Sequence, residues 1–78
     1  MTTVNVALNS MDRVRGFNTI ISESEYECDL VLGRYVIDAK SVMGIFSLDL
    51  SKPLQLVIHN RDEDDISALL GSIEQYLV

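Results

Sequence analysis

Between Glu25 and Asp38 the side chains alternate so regularly that little choice of backbone is left. Tyr26, Cys28, Leu30 and Leu32 fall on one side, and Glu25, Glu27 and Asp29 on the other. A period of two is the repeat of an extended strand with one face buried and one face wet. Gly33-Arg34 supplies a turn, and Tyr35-Val36-Ile37-Asp38 returns as a second short strand, so this stretch is predicted to be a β-hairpin. With 78 residues, the chain is a single domain that buries only a little over roughly 60% of its unfolded surface, so the hairpin must share its core with every other element.

Punctuation elsewhere is sparse, with four glycines spread along the chain and Pro53 as the only proline. Hydrophobic period therefore decides the remaining elements. Val4, Val6 and Leu8 alternate with polar or small neighbours and predict a first strand. Asn9 or Ser10 then stands where a helix N-cap belongs, with Asp12 in the first turn. Val14, Phe17 and Ile21 follow at helical spacing and predict a helix from about residue 10 to about residue 22. Gly16 inside it costs up to about 1 kcal/mol relative to alanine, which points to close packing. Ser41 is expected to cap a helix of one or two turns carrying Val42, Met43, Ile45 and Phe46. Leu54, Leu56 and Ile58 alternate as a fourth strand. Ile66, Leu69, Leu70, Ile73 and Leu77 repeat as one amphipathic helix. The order β-α-β-β-α-β-α, with one apolar face per strand, predicts an α+β fold: a four-stranded, mostly antiparallel sheet with helices on one face.

Charge and residue counts narrow the function. Six basic residues against twelve acidic ones leave a net charge of −6, which argues against a direct grip on nucleic-acid phosphates. One cysteine and one histidine provide neither an internal disulfide nor the ligands of a zinc site, and no metal or other cofactor is expected. No apolar run approaches the roughly 18 to 20 residues of a membrane span. The start Met1-Thr2-Thr3-Val4-Asn5 lacks the basic and apolar regions of a secretory signal, so the expected location is a reducing cytoplasm.

The segment Asp38-Ala39-Lys40-Ser41-Val42-Met43-Gly44, continuing through Ile45-Phe46-Ser47-Leu48, resembles the histidine-containing phosphocarrier proteins (HPr) of the bacterial sugar phosphotransferase system. Its signature is a lysine-serine pair, a hydrophobic pair, a glycine and further apolar residues, placed after a short strand. The element order over the whole chain also resembles that family's open-faced β-sandwich. The resemblance implies a single HPr-like domain over residues 1–78 in a cytoplasmic bacterial protein. In the low-GC Gram-positive members of the family, which this chain most resembles, the serine matching Ser41 is a regulatory phosphorylation site, and in the family the patch matching Val42, Met43 and Phe46, beside Lys40, docks protein partners.

The family's second motif, close to Gly-Leu-His-Ala-Arg-Pro, is replaced here by Leu8-Asn9-Ser10-Met11-Asp12-Arg13. By the family's spacing, Ser10 stands at the position of the phosphorylated histidine and Asp12 at that of a phosphate-binding arginine. A serine hydroxyl is a poor nucleophile without a base, and its phosphate ester is too stable to be handed on readily. Asp12 also replaces a favourable cation by a repulsive anion. These departures argue against catalysis and against phosphate relay.

Each candidate has a plainer structural reading. Ser41 serves equally as an N-cap worth about 1 kcal/mol. Ile45 and Leu48 are expected in the core. Ser10, Arg13 and Arg15 form a second candidate, a helix N-terminus that could hold an anion with Arg13 nearby, but they read more simply as a cap with solvated arginines. Cys28 alternates inward as a small core residue rather than a nucleophile. His59 falls on the polar side of its strand. The acidic run Asp62–Asp65 lacks the glycine and spacing of a calcium loop and suits a helix start instead. The resulting expectation is a regulatory, protein-binding module switched at Ser41. Its partners would be a serine kinase, a transcriptional regulator or a phosphotransferase-system component. The alternatives are an active phosphocarrier using an atypical residue such as His59, or a structural assembly domain.

Overall fold

In the computed structural model, which describes residues 1–78, the chain forms four strands, three helices and a final 3₁₀ turn. In chain order these are β1 (Thr2–Val6), α1 (Met11–Glu23), β2 (Cys28–Leu32), β3 (Tyr35–Asp38), α2 (Val42–Phe46), β4 (Leu54–Ile58), α3 (Ser67–Ser72) and the 3₁₀ turn Glu74–Tyr76. The sheet order is β1-β4-β2-β3, and every neighbouring pair is antiparallel. β1 and β2 both run opposite to β4, which lies between them. β3 and β4 likewise flank β2. Each β-α-β link therefore skips one strand, and its helix crosses the same face of the sheet.

Register sorts the side chains as the alternation predicts. Val6 pairs with Leu54, Val4 with Leu56, and Leu56 with Leu30, so these residues share the helix-covered face. Val6, Leu54, Leu56, Ile58, Cys28 and Leu30 are buried there beneath Val14, Phe17 and Ile21 of α1 and Ile45 of α2. Thr3, Asn5 and Gln55 point to the open face and are exposed. Gly33 has φ 60°, whereas no other residue type has positive φ. A two-residue loop with glycine first in that conformation is a type II′ turn, whose twist matches the strands it joins.

The N-cap choice resolves to Ser10, whose side chain accepts from the Arg13 backbone N–H. β2 begins at Cys28 rather than Tyr26, because residues 24–26 form a bend in which the Ser24 hydroxyl accepts the Tyr26 N–H at 3.1 Å.

The C-terminal segment departs further from expectation. The single helix predicted over Ile66 to Leu77 is a six-residue α3, a break at Ile73 and a 3₁₀ turn. Beyond it the chain runs along the free side of β1. Ala7 N–H donates to the Tyr76 carbonyl at 2.8 Å, Val78 N–H donates to the Asn5 carbonyl at 3.0 Å, and Leu77 bridges to Val6. Ending the helix early satisfies backbone groups at an otherwise bare sheet edge. Tyr76 enters the core here and meets Phe17 edge to face, with ring centroids 5.8 Å apart. Gly16 lies directly beneath its hydroxyl, where a Cβ would overlap the oxygen. The close packing expected at Gly16 is thus a contact between α1 and the C-terminal turn.

Candidate functional site

Ser41 sits between β3 and α2 on a loop held from several sides. Its own N–H donates to the Asp38 carbonyl at 3.0 Å, and Lys40 N–H donates to Asp38 Oδ1 at 2.9 Å. From α1, Asn18 Nδ2 donates to the Lys40 carbonyl at 3.0 Å and to the Ala39 carbonyl at 3.3 Å. Ala39 is fully buried beneath. Ser41 Oγ accepts the Gly44 N–H at 3.2 Å and so caps α2. The hydroxyl itself stays exposed. α2 has only five residues, so its dipole adds little, and the local N–H groups are what an anion at Ser41 would meet. Gly44 leaves room for this cap: a Cβ there would stand 3.3 Å from Ser41 Oγ and 3.5 Å from Ile37.

Replacing Asn18 by alanine removes both clamps on the loop while leaving α1 intact. We expect a loss of about 1 kcal/mol in denaturant unfolding. We also expect faster hydrogen exchange at Ser41 and Gly44 than elsewhere in the chain.

The apolar residues of α2 divide cleanly. Ile45 and Leu48 are in the core, whereas Met43 is 78% exposed, Phe46 41% and Val42 36%. One helical turn cannot turn all of these side chains inward, so three of them form a surface patch adjoining the Ser41 hydroxyl. A patch containing an unbranched, adaptable methionine suits protein contact. Lys40 departs from the expectation of a partner-facing cation: its Nζ donates to the Ser24 carbonyl at 2.8 Å, tying the loop to the end of α1. Neither of the two surface clefts touches Ser41, so the candidate site is a surface and not a cavity.

Ser10 and Arg13 meet at the start of α1, but Arg13 is turned away from any anion site there. Its Nε donates to the Ala7 carbonyl at 2.9 Å and its Nη2 to the Gln75 carbonyl at 2.9 Å. The guanidinium also lies 5.1 Å from the centre of the Tyr76 ring. Arg13 therefore fastens the C-terminal turn to the end of β1. Nothing in the local sequence signals this, because Gln75 and Tyr76 are more than 60 residues away in the chain.

His59 gains a partner that the sequence did not reveal. Its Nε2 lies 2.8 Å from Asp29 Oδ2, across neighbouring strands. The pair borders a cleft lined also by Glu25, Glu27, Asp64 and Arg61, where carboxylates outnumber the one guanidinium and disfavour phosphate. Cys28 is buried, and burial pushes its thiol up to about 11, which keeps it protonated and unreactive at neutral pH. No group of three or more potential metal-ligating side chains comes together, and no helix is long and apolar enough to cross a membrane.

No family model matches the chain, and no curated protein matches it in sequence. Among solved structures it is similar to HPr-C-His from Thermoanaerobacter tengcongensis, with a TM-score of 0.74 and 20% identity over 96% of this chain and 89% of that one. A likeness of that extent at that identity establishes the architecture: the chain has an α+β, HPr-like fold, an open-faced sandwich of a four-stranded antiparallel sheet covered on one side by helices.

Proposed function

We propose that the chain is a non-catalytic regulatory module, a divergent relative of the phosphocarriers without their active histidine, that binds protein partners through α2 and is switched by phosphorylation of Ser41. One observation carries this reading: an exposed serine hydroxyl, on a loop anchored by Asn18, Lys40 and Asp38, adjoins the exposed patch of Val42, Met43 and Phe46. A phosphate there would add about −1.5 to −2 charges next to apolar side chains. Its oxygens could still accept the Gly44 N–H, so the modification changes docking more than folding. The partners that fit are a serine kinase, a transcriptional regulator or a phosphotransferase-system component. The exposed setting of Ser10, with Arg13 engaged by two carbonyls, supports the reading that α1 does not relay phosphate.

The test is incubation with an ATP-dependent kinase that modifies the regulatory serine of phosphocarrier proteins, followed by intact mass. One phosphoryl group is expected on the wild type and none on Ser41→Ala. An unmodified wild type, under conditions that modify an ordinary phosphocarrier, would overturn the proposal. Met43→Asp is expected to abolish partner binding while unfolding within about 0.5 kcal/mol of wild type, as befits a surface substitution.

The His59–Asp29 pair supports a second reading, phosphate carriage on His59. Phosphoenolpyruvate and the first enzyme of the transfer system would then yield an acid-labile phosphoryl group. The carboxylates around the pair favour a negative result.

A further inference from the structure

The two edges of the sheet are treated differently. At the C-terminal end of β1, residues Tyr76 to Val78 occupy the Ala7 N–H and the Asn5 carbonyl. Along β3 no chain segment lies alongside, and Tyr35 and Val36 are 66% and 61% exposed. This edge has no proline, lysine or bulge to blunt it, only its shortness.

Hydrogen bonding fixes which backbone groups of β3 point outward. Ala39 N–H donates to the Cys28 carbonyl at 2.9 Å, and the β2–β3 register continues through Leu30–Ile37 and Leu32–Tyr35. Antiparallel ladders alternate, so residues 35, 37 and 39 bond to β2 while Val36 and Asp38 direct their N–H groups away from the sheet. The β2–β4 ladder agrees: His59 N–H donates to the Glu27 carbonyl, which directs Asp29 and Val31 towards β4.

We propose that this edge pairs with the same edge of a second copy of the chain, antiparallel about a two-fold axis through Val36. In that register each Val36 N–H meets the other copy's Val36 carbonyl, so the two unsatisfied groups at the centre of the edge satisfy one another. The same register sets Arg34 of each copy opposite Asp38 of the other, and Tyr35 opposite Ile37. The edge is self-complementary in charge as well as in backbone. Sliding the register by two positions in either direction separates Arg34 from Asp38. Asp38 retains a free oxygen for the contact, because only its Oδ1 serves Lys40. This inference is independent of the proposed role of Ser41.

A four-residue edge makes a small interface, at the weak end of specific contacts. Sedimentation equilibrium from about 10 μM to about 1 mM chain is therefore the measurement. The wild type is expected to pass from monomer to dimer over that range. Val36→Pro is expected to remain monomeric, because it removes an outward N–H and leaves the bonds to β2 in place. Arg34→Glu alone and Asp38→Lys alone are each expected to lose the dimer, since each sets like charges face to face. Mixed in equal amounts, they are expected to form a one-to-one dimer in which both opposite-charge pairs are restored. Hydrogen exchange on the wild type gives a readout that no variant's misfolding can obscure: the Val36 amide should become protected as concentration rises. A wild type that stays monomeric at 1 mM, a dimer that survives Val36→Pro, or a Val36 amide equally exposed at both concentrations would each overturn the proposal.

Discussion

Phe17→Ala is expected to remove between about a quarter and all of the protein's stability at 25 °C. Phe17 is completely buried, at the meeting point of α1, the sheet and the Tyr76 ring. Truncating a buried phenylalanine costs about 3–5 kcal/mol, from lost transfer energy and from the cavity left behind. A domain of this length has a total stability of only about 4–12 kcal/mol. At the lower end of that range the variant has no cooperative transition. At the upper end its urea midpoint falls by about a quarter to two-fifths. Far-ultraviolet circular dichroism against urea checks this, with Val36→Ala on the open face as a neutral comparison.

Gly16→Ala is expected to destabilise by about 1–3 kcal/mol, the range for a group forced into a filled space, although helix propensity alone favours alanine by about 1 kcal/mol. The opposing effect is steric, because the new methyl group would occupy the space of the Tyr76 hydroxyl. Tyr76 cannot simply swing aside. Its backbone carbonyl holds Ala7, its ring faces Phe17, and the Arg13 guanidinium lies near the ring. The clash should therefore loosen the whole C-terminal turn and not one side chain. Tyr76→Phe provides the check. Its hydroxyl makes no hydrogen bond that the fold depends on, so that variant alone should be near neutral. The double variant Gly16→Ala, Tyr76→Phe should recover most of the loss and leave part of the gain in helix propensity visible. If Gly16→Ala alone is stabilising, the contact between α1 and the C-terminal turn is looser than described.

The parts of this fold legible in the sequence are those governed by local period. The hairpin around Gly33, α1 with its Val14, Phe17 and Ile21, and β4 each declare themselves because burial on one face imposes a repeat on neighbouring residues. The end of α3 was not legible. Ile66, Leu69, Leu70 and Ile73 fit a continuous helix, and a 3₁₀ turn preserves nearly the same three-residue spacing. What ends the helix is the demand of the β1 edge, some 70 residues earlier, for partners at Ala7 and Asn5. The site divides in the same way. Ser41 as a cap and Ile45 as core follow from local pattern. The clamp from Asn18, the inward turn of Lys40, the task of Arg13 and the pairing of His59 with Asp29 all depend on register or on packing between distant elements, which no window of sequence contains.

The strand order also dictates a timetable. β1 is made first, yet its only neighbours in the sheet are β4 and the last few residues. While a ribosome is still working through the middle of the message, Thr2–Val6 has nowhere to dock, and α1 has no finished sheet to cover. The hairpin of β2 and β3 can form early on its own short loop. The rest must wait for Leu54–Ile58 and close over long separations in one late step, the slow kind of assembly. Until β4 has been made, the Val4 and Val6 face of β1 stays exposed, and that interval is when chaperones or aggregation compete for it.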